Sequence, residues 1–303
     1  MAPPKVTIGI PLYRSNRFLD CIAGNIESID YPNLEIILSD RHLHDDALER
    51  VAARFPGDPR LRLLATRDGR GWIDNYNLLL RSATGAYFMW MGHDDELSPG
   101  YVGELVAHLE ASPETLVAYG DVEVTDESGA PLGWQPDARL LLGEGEAWSV
   151  RAALRQLVFR PSFTPPFKGI FRVEPVRGAG LYLREPLDGV WADVYWIFAL
   201  GLLGRPGHVP SARLRKRVYR TSASAAWGGI RLRDVASGHA ILLSYIRDFA
   251  SGPRVAAEAA AVVSAWSLAR AVAATPIGWP LRGRGVARRF LARALSTPVS
   301  GIL

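Results

Sequence analysis

The chain opens with a run of uncharged, mostly branched residues, Val6-Thr7-Ile8-Gly9-Ile10, that stops at Pro11. A short apolar run closed by a breaker predicts a strand buried on both faces. Over residues 16–29, Phe18, Leu19, Ile22 and Ile26 recur at helical spacing, and Tyr31-Pro32-Asn33 ends the pattern. Leu34-Glu35-Ile36-Ile37-Leu38 predicts a second strand that ends at Ser39-Asp40. A helix over 45–54, a short strand over 61–64, a helix over 73–81 and a strand over 86–91 follow. A helix over 100–110 and a strand over 115–119 continue the alternation. Strands alternating with helices imply a mostly parallel central sheet flanked by helices, an α/β fold.

Beyond Tyr119 the pattern loosens. Asp126-Glu127-Ser128-Gly129 reads as a hairpin turn after Val122-Glu123-Val124. Residues 134–168 are rich in Gly, Pro and Trp, with a helix pattern near 150–158. Ile170-Phe171-Arg172-Val173 predicts a short strand, and 191–203 a strongly apolar helix whose one acid is Asp193. Val218-Tyr219-Arg220 reads as a last strand, and from Arg231 the chain reads as Ala-rich helices. Glu258 and Arg270 interrupt the longest apolar stretch, so no transmembrane helix is expected.

Ligands of such sheets bind in the crevice outside the carboxyl ends of the strands. Those ends are Pro11-Leu12-Tyr13-Arg14, Ser39-Asp40-Arg41, 66–71 with Arg67 and Arg70, and His93-Asp94-Asp95. Two adjacent Asp after a buried strand repel each other unless a positive charge sits there. Mg²⁺ or Mn²⁺ answers this, because each takes one or two carboxylates plus substrate phosphate oxygens. Asp also opens loops and caps helices, so the pair alone carries either reading. Four polar ends on four apolar strands favour a ligand site.

Composition narrows the class. With 303 residues and 48% hydrophobic content the chain buries a sizeable core. Its one cysteine, Cys21, excludes an internal disulfide framework and a cysteine-built zinc site. Met-Ala-Pro-Pro-Lys leads into the first strand without an apolar leader, which predicts a cytoplasmic location. Of 35 bases and 31 acids, sixteen bases but three acids (Asp234, Asp248, Glu258) lie from Arg205 onward. A basic tail on an acidic body suggests an anionic partner for the tail.

Ile10-Pro11-Leu12-Tyr13-Arg14, Glu35-Ile36-Ile37-Leu38-Ser39-Asp40 and Gly85-Ala86-Tyr87 leading to His93-Asp94-Asp95 together resemble the family 2 glycosyltransferases over residues 5–225. The resemblance implies a GT-A fold: a nucleotide-sugar-binding half (1–120), an acceptor-binding half (121–230) and, outside the resemblance, a basic helical C-terminal appendage (231–303). It implies an inverting transfer of a sugar from a nucleotide-diphospho-sugar to an acceptor hydroxyl of a glycan, a lipid-linked glycan or a cell-envelope precursor. Pro11 and Tyr13 would pack on the base, and Asp40 would accept from a pyrimidine ring N–H, which favours UDP while dTDP and GDP stay open. Arg67 or Arg70 would approach the base or diphosphate, and Asp94 would lie on the diphosphate side. Asp95 would hold Mn²⁺ or Mg²⁺. The first Asp of the family's metal motif is replaced by Gly92 or His93, and His93 reads as a tolerated loop residue ahead of two alternatives, a metal neighbour or a contact to a sugar hydroxyl. A second reading is a non-catalytic sugar-nucleotide or glycan-binding protein of the same fold.

In the second half, Leu187-Asp188-Gly189-Val190-Trp191-Ala192-Asp193 is similar to the family segment that carries the catalytic acid. Asp193 would be the general base, with a pKa raised among Trp191, Tyr195 and Trp196; Asp188 competes for the role. Arg217 or Arg220 would reach the diphosphate. Lys168-Gly169-Ile170-Phe171-Arg172 resembles the strand bordering the acceptor pocket, and Trp134, Trp148 and Trp227 are either sugar platforms or core. For 231–303 two readings stand. Basic amphipathic helices suit peripheral binding to an anionic membrane, and they equally suit packing on the catalytic part or in a homodimer. No nucleic-acid motif accompanies the charge.

Overall fold

The structure, a computed structural model, describes residues 2–40, 45–65, 71–135, 164–220 and 231–273. The chain divides into two compact units. The first comprises Met1–Asp137, Thr164–Leu183 and Gly204–Ser222; the second comprises Ala138–Phe163, Arg184–Leu203 and Ala223–Leu303.

The first unit is built on one sheet. Strands β1 (Val6–Pro11), β2 (Leu34–Asp40), β3 (Leu61–Ala65) and β4 (Tyr87–Trp90) pair in parallel in the order β3-β2-β1-β4. Every residue of β1, β2 and β4 is buried, which is why they read as continuous apolar runs. Helices α1 (Leu19–Ser28), α2 (Ala47–Arg54) and α4 (Tyr101–Ala111) share one core with Val6, Ile8, Ile10, Ile36 and Leu38. On the other face, α3 (Trp72–Ser82) buries Ile73, Leu79 and Leu80, and a Cβ on Gly9 would meet the Phe88 ring and Leu79.

The sheet then turns mixed. Strand β8 (Ile170–Arg172) runs antiparallel to both β4 and β6 (Thr115–Thr125), and β9 (Arg205–Arg217) runs parallel to β6. The two-residue β5 (Glu96–Leu97) closes the edge on β9. Strand β7 (Pro131–Trp134) forms the expected hairpin with β6, its turn held by Asp126 Oδ1, which accepts from the Ser128 and Ala130 N–H groups. A short helix, α5 (Val173–Gly178), follows β8.

Two expectations change here. The separate strands at 115–119 and 122–124 are one strand, β6, whose register against β9 shifts at Gly120/Asp121. The last strand lies at Arg205–Arg217, not at Val218-Tyr219-Arg220. It escaped the periodicity because two prolines and five basic residues interrupt it, and only Ala212 and Leu214 are fully buried. Part of the basic surplus is therefore structural: Arg215 pairs with Glu123 at 3.0 Å and Arg217 with Glu96 at 2.7 Å.

In the second unit, α6 (Ala192–Leu203) is apolar all round and nine of its residues are buried, so its neighbours must cover every face. Helix α7 (Leu232–Phe249) approaches it at Gly238, where a Cβ would lie 2.1 Å from the Tyr195 hydroxyl. Helix α8 (Pro253–Ala273) supplies Arg270, whose guanidinium stacks over Trp191 at 4.3 Å and Trp266 at 5.2 Å. Among the described residues no helix is long and apolar enough to cross a membrane. The basic stretch at 286–293 lies outside the described residues, as do the helix pattern at 150–158, Trp148 and Trp227.

Candidate functional site

The two carboxylates after β4 are held in a closed turn. Pairing with β1 continues one residue past the strand, where Met91 N–H donates to Gly9 O at 3.0 Å. Asp95 N–H then donates to Gly92 O, and Gly92 N–H donates back to Asp95 Oδ2, each at 3.2 Å. A Cβ on Gly92 would stand 2.7 Å from Asp95 Oδ2 and 2.8 Å from Asp94 Oδ1. Both carboxylates thus fold over the glycine. Helix α1 fixes the turn from beneath. Asn25 Nδ2 donates to Asp95 O at 2.8 Å, Asn25 Oδ1 accepts from Leu97 N–H at 3.1 Å, and the Cys21 thiol donates to Asp95 O at 3.3 Å. Burial, with Glu96 second, pushes that thiol up to about 12, so it stays a neutral donor.

Asp95 is 1% exposed, and its Oδ2 pairs with Lys168 Nζ at 2.5 Å. Lys168 ends a 3₁₀ turn, Pro165–Lys168, whose Phe167 stacks on Trp90 and Tyr76. The Tyr101 hydroxyl donates to Lys168 O at 3.0 Å. The next residue, Gly169, packs so close to β6 that a Cβ would lie 2.3 Å from Ala118 O. Burial opposes the ammonium charge, but Asp95 outweighs it, and the lysine pKa is raised above its usual value. Asp94 moves the other way for an acid: burial first, then the Asp95 charge, raises its pKa.

His93, expected to be a tolerated loop residue, is instead a buried joint between the first and fourth strand ends. Its Nδ1 shares a 2.8 Å hydrogen bond with Ser15 Oγ, which also accepts from Tyr13 N–H at 2.9 Å. Its ring stacks on Phe18 at 4.9 Å, and burial lowers its pKa, which keeps the imidazole neutral. Tyr219 stands beyond, with burial and then Asp94 pushing its hydroxyl up to about 12. Arg17 stacks over the Tyr219 ring at 4.2 Å.

The residues expected at the site fall into four groups. Pro11 is buried at the end of β1, Tyr13 just beyond it is 47% exposed, and Asp40 ends β2 fully buried. With Asp94 and Asp95 they occupy the carboxyl ends of three adjacent parallel strands, β2, β1 and β4. Arg217 is engaged nearby, donating to Glu96 at 2.7 Å and to Glu127 O at 3.3 Å. Arg67 and Arg70 lie outside the described residues. Asp193 sits half-buried in the first turn of α6 in the second unit, with Val194 N–H donating to its Oδ1 at 2.9 Å. The competing Asp188, at φ 57°, is taken up by Arg231 at 2.7 Å and Arg233 at 3.2 Å.

Sequence reasoning did not assign Ser15 and Tyr219 to the site, and it placed Lys168 only at the acceptor border, not beside Asp95. For Lys168 the signal was present: one cation at the end of the apolar run Pro165-Pro166-Phe167 before a buried strand.

Two convergent carboxylates are the donor set that a hard divalent ion takes when phosphate oxygens complete its shell. Among the described residues no group of three or more His, Cys, Asp or Glu could hold a metal unaided. Asp94 and Asp95 therefore fit a divalent ion whose shell other ligands complete.

Residues 7–154 match the family model described as glycosyl transferase family 2. A curated relative from Haemophilus influenzae, named an uncharacterized glycosyltransferase, is 26% identical over 128 residues, 42% of this chain and 40% of the relative. The chain spans about 40% or less of the length of the first curated relatives it matches. Among solved structures, S. aureus TarS residues 1–349 in complex with UDP-GlcNAc superposes with a TM-score of 0.66 at 12% identity, covering 96% of this chain and 79% of that one. The mannosyltransferase PcManGT from Pyrobaculum calidifontis, in complex with GDP-Man and Mn²⁺, gives 0.58 at 21% identity, covering 97% and 85%. These likenesses establish the fold, the GT-A type.

Proposed function

We propose that the protein is an inverting glycosyltransferase that moves a sugar from a nucleotide-diphospho-sugar to an acceptor hydroxyl. One observation carries this reading. Pro11 with Tyr13, Asp40, and Asp94 with Asp95 stand at the carboxyl ends of three neighbouring parallel strands, inside the stretch that matches the transferase family model. Tyr13 offers an exposed ring for the base, and Asp40 an acceptor for a base N–H, with UDP the first nucleotide to test. Asp95, assisted by Asp94, would hold Mn²⁺ or Mg²⁺. When bound, the ion offsets charge on the departing diphosphate. Lys168 adds a second positive charge at the same carboxylate.

Asp193 would take the acceptor proton as its oxygen attacks the anomeric carbon. Its support is the family segment around it and the fate of its rival, since two arginines occupy Asp188. The test is sugar transfer and donor hydrolysis with UDP-, GDP- and dTDP-sugars plus Mn²⁺. Turnover by the wild type and its loss in Asp193→Asn, with nucleotide still bound, is the expected result. Full turnover in Asp193→Asn would remove that residue from the role. Nucleotide binding without turnover across the donors would instead mark a non-catalytic sugar-nucleotide binder.

A further inference from the structure

The ion pair between Lys168 and Asp95 stands on Oδ2 of the carboxylate proposed above to hold the metal. Asp95 Oδ2 already receives Gly92 N–H at 3.2 Å and Lys168 Nζ at 2.5 Å. The lysine side chain is 14% exposed and the aspartate 2%, so water does little to replace either partner. The backbone beneath the lysine is fixed by the Tyr101 hydroxyl on its carbonyl and by the tight approach of Gly169 to β6. The ammonium can therefore swing on its stem, but its attachment point cannot retreat.

We infer that Lys168 is a resident counter-cation that leaves Asp95 for the donor diphosphate, so that metal and nucleotide bind with positive coupling and metal alone binds poorly. The inference rests on the donor site proposed above. A buried carboxylate that loses its only cation, or a buried ammonium that loses its carboxylate, bears an uncompensated charge. A divalent ion arriving alone would displace Lys168 into that state. A diphosphate arriving with it gives the ammonium new anionic oxygens, and Asp95 Oδ2 becomes free to ligate. The coupling is reciprocal: whatever the nucleotide adds to metal affinity, the metal adds to nucleotide affinity.

The experiment is a calorimetric cycle on the full chain with Mn²⁺ and UDP, each titrated alone and in the presence of the other, for wild type and Lys168→Met. Thermal melting checks that each protein is folded. In the wild type, saturating UDP is expected to tighten Mn²⁺ by about tenfold or more, within the usual range of such couplings. In Lys168→Met, Mn²⁺ alone should bind about tenfold tighter than to wild type, and the coupling should fall to within about threefold of none. Should Lys168→Met not fold, Asp95→Asn gives the opposite arm: its released lysine should bind UDP without metal at least as tightly as wild type does. Unchanged coupling in Lys168→Met, no gain in its Mn²⁺ affinity, or weaker metal-free UDP binding by Asp95→Asn overturns the inference while leaving a donor site intact. Failure of every form to bind any nucleoside diphosphate overturns the functional reading instead, and the Mn²⁺ arm then judges Lys168 alone.

Discussion

Buried acids stand at both ends of the same sheet, and their surroundings differ in kind. At the amino end of β2, Glu35 is 7% exposed and accepts from Thr7 Oγ1 at 2.6 Å, from Thr84 N–H and Oγ1 at 3.0 Å each, and from Arg62 at 3.1 Å. Burial raises its pKa, but these donors outweigh burial and hold the carboxyl below the usual glutamate range. At the carboxyl end, Asp95 pairs with Lys168, and burial and the Asp95 charge raise the pKa of Asp94 rather than lower it. A carboxylate surrounded by donors from its own fold ties strands together. Two adjacent carboxylates, the charge of one raising the pKa of the other, are arranged for a ligand that brings more positive charge.

The comparison can be broken at several points. The largest effect is expected at Asp95→Asn, which should lower transfer by at least about a hundredfold and abolish Mn²⁺-dependent tightening of nucleotide, read by steady-state kinetics and calorimetry. Asp193→Asn should lower kcat by roughly 10²–10⁴-fold, the usual span for a general base, with nucleotide affinity unchanged. Glu35→Ala belongs to the other class: it should cost stability, roughly 2–4 kcal/mol by denaturant unfolding, and leave nucleotide affinity alone.

The pH dependence follows in sign. Because the folded pKa of Glu35 is lowered, its stabilisation is present above the unfolded value of about 4.3 and is lost as pH falls through the folded value. Glu35→Gln should flatten the unfolding curve in that window. Ser15→Ala removes one buried hydrogen bond from His93 and is expected to weaken nucleotide binding by about fivefold, roughly 1 kcal/mol. Smallest of all, Arg54→Ala should leave the melting temperature unchanged, because its pairing with Asp20 is exposed on both sides.

The parallel half of the fold was legible because strands covered on both faces are mostly apolar, and β1, β2 and β4 are, with Thr7, Glu35 and the terminal Ser39-Asp40 as exceptions. Strand β9 was hidden because an edge region facing water tolerates Arg, Lys and Pro, so its sequence lacks a period. The site divided along the same line. Asp40, Asp94 and Asp95 announce themselves as acids directly after apolar strands. Lys168 reaches Asp95 across 73 residues of chain, through the packing of β8 between β4 and β6, and no local pattern encodes such a contact. His93 read as filler because a loop histidine is ordinary. What makes it a joint is Ser15, which only the pairing of neighbouring strands brings beside it.

The most direct test is a calorimetric titration of the full chain with UDP, GDP and dTDP, each with and without Mn²⁺. The strand-end site predicts that one of them binds, that Mn²⁺ tightens it, and that Asp95→Asn removes the tightening. No binding of any nucleoside diphosphate, or a tightening that survives Asp95→Asn unchanged, would contradict it.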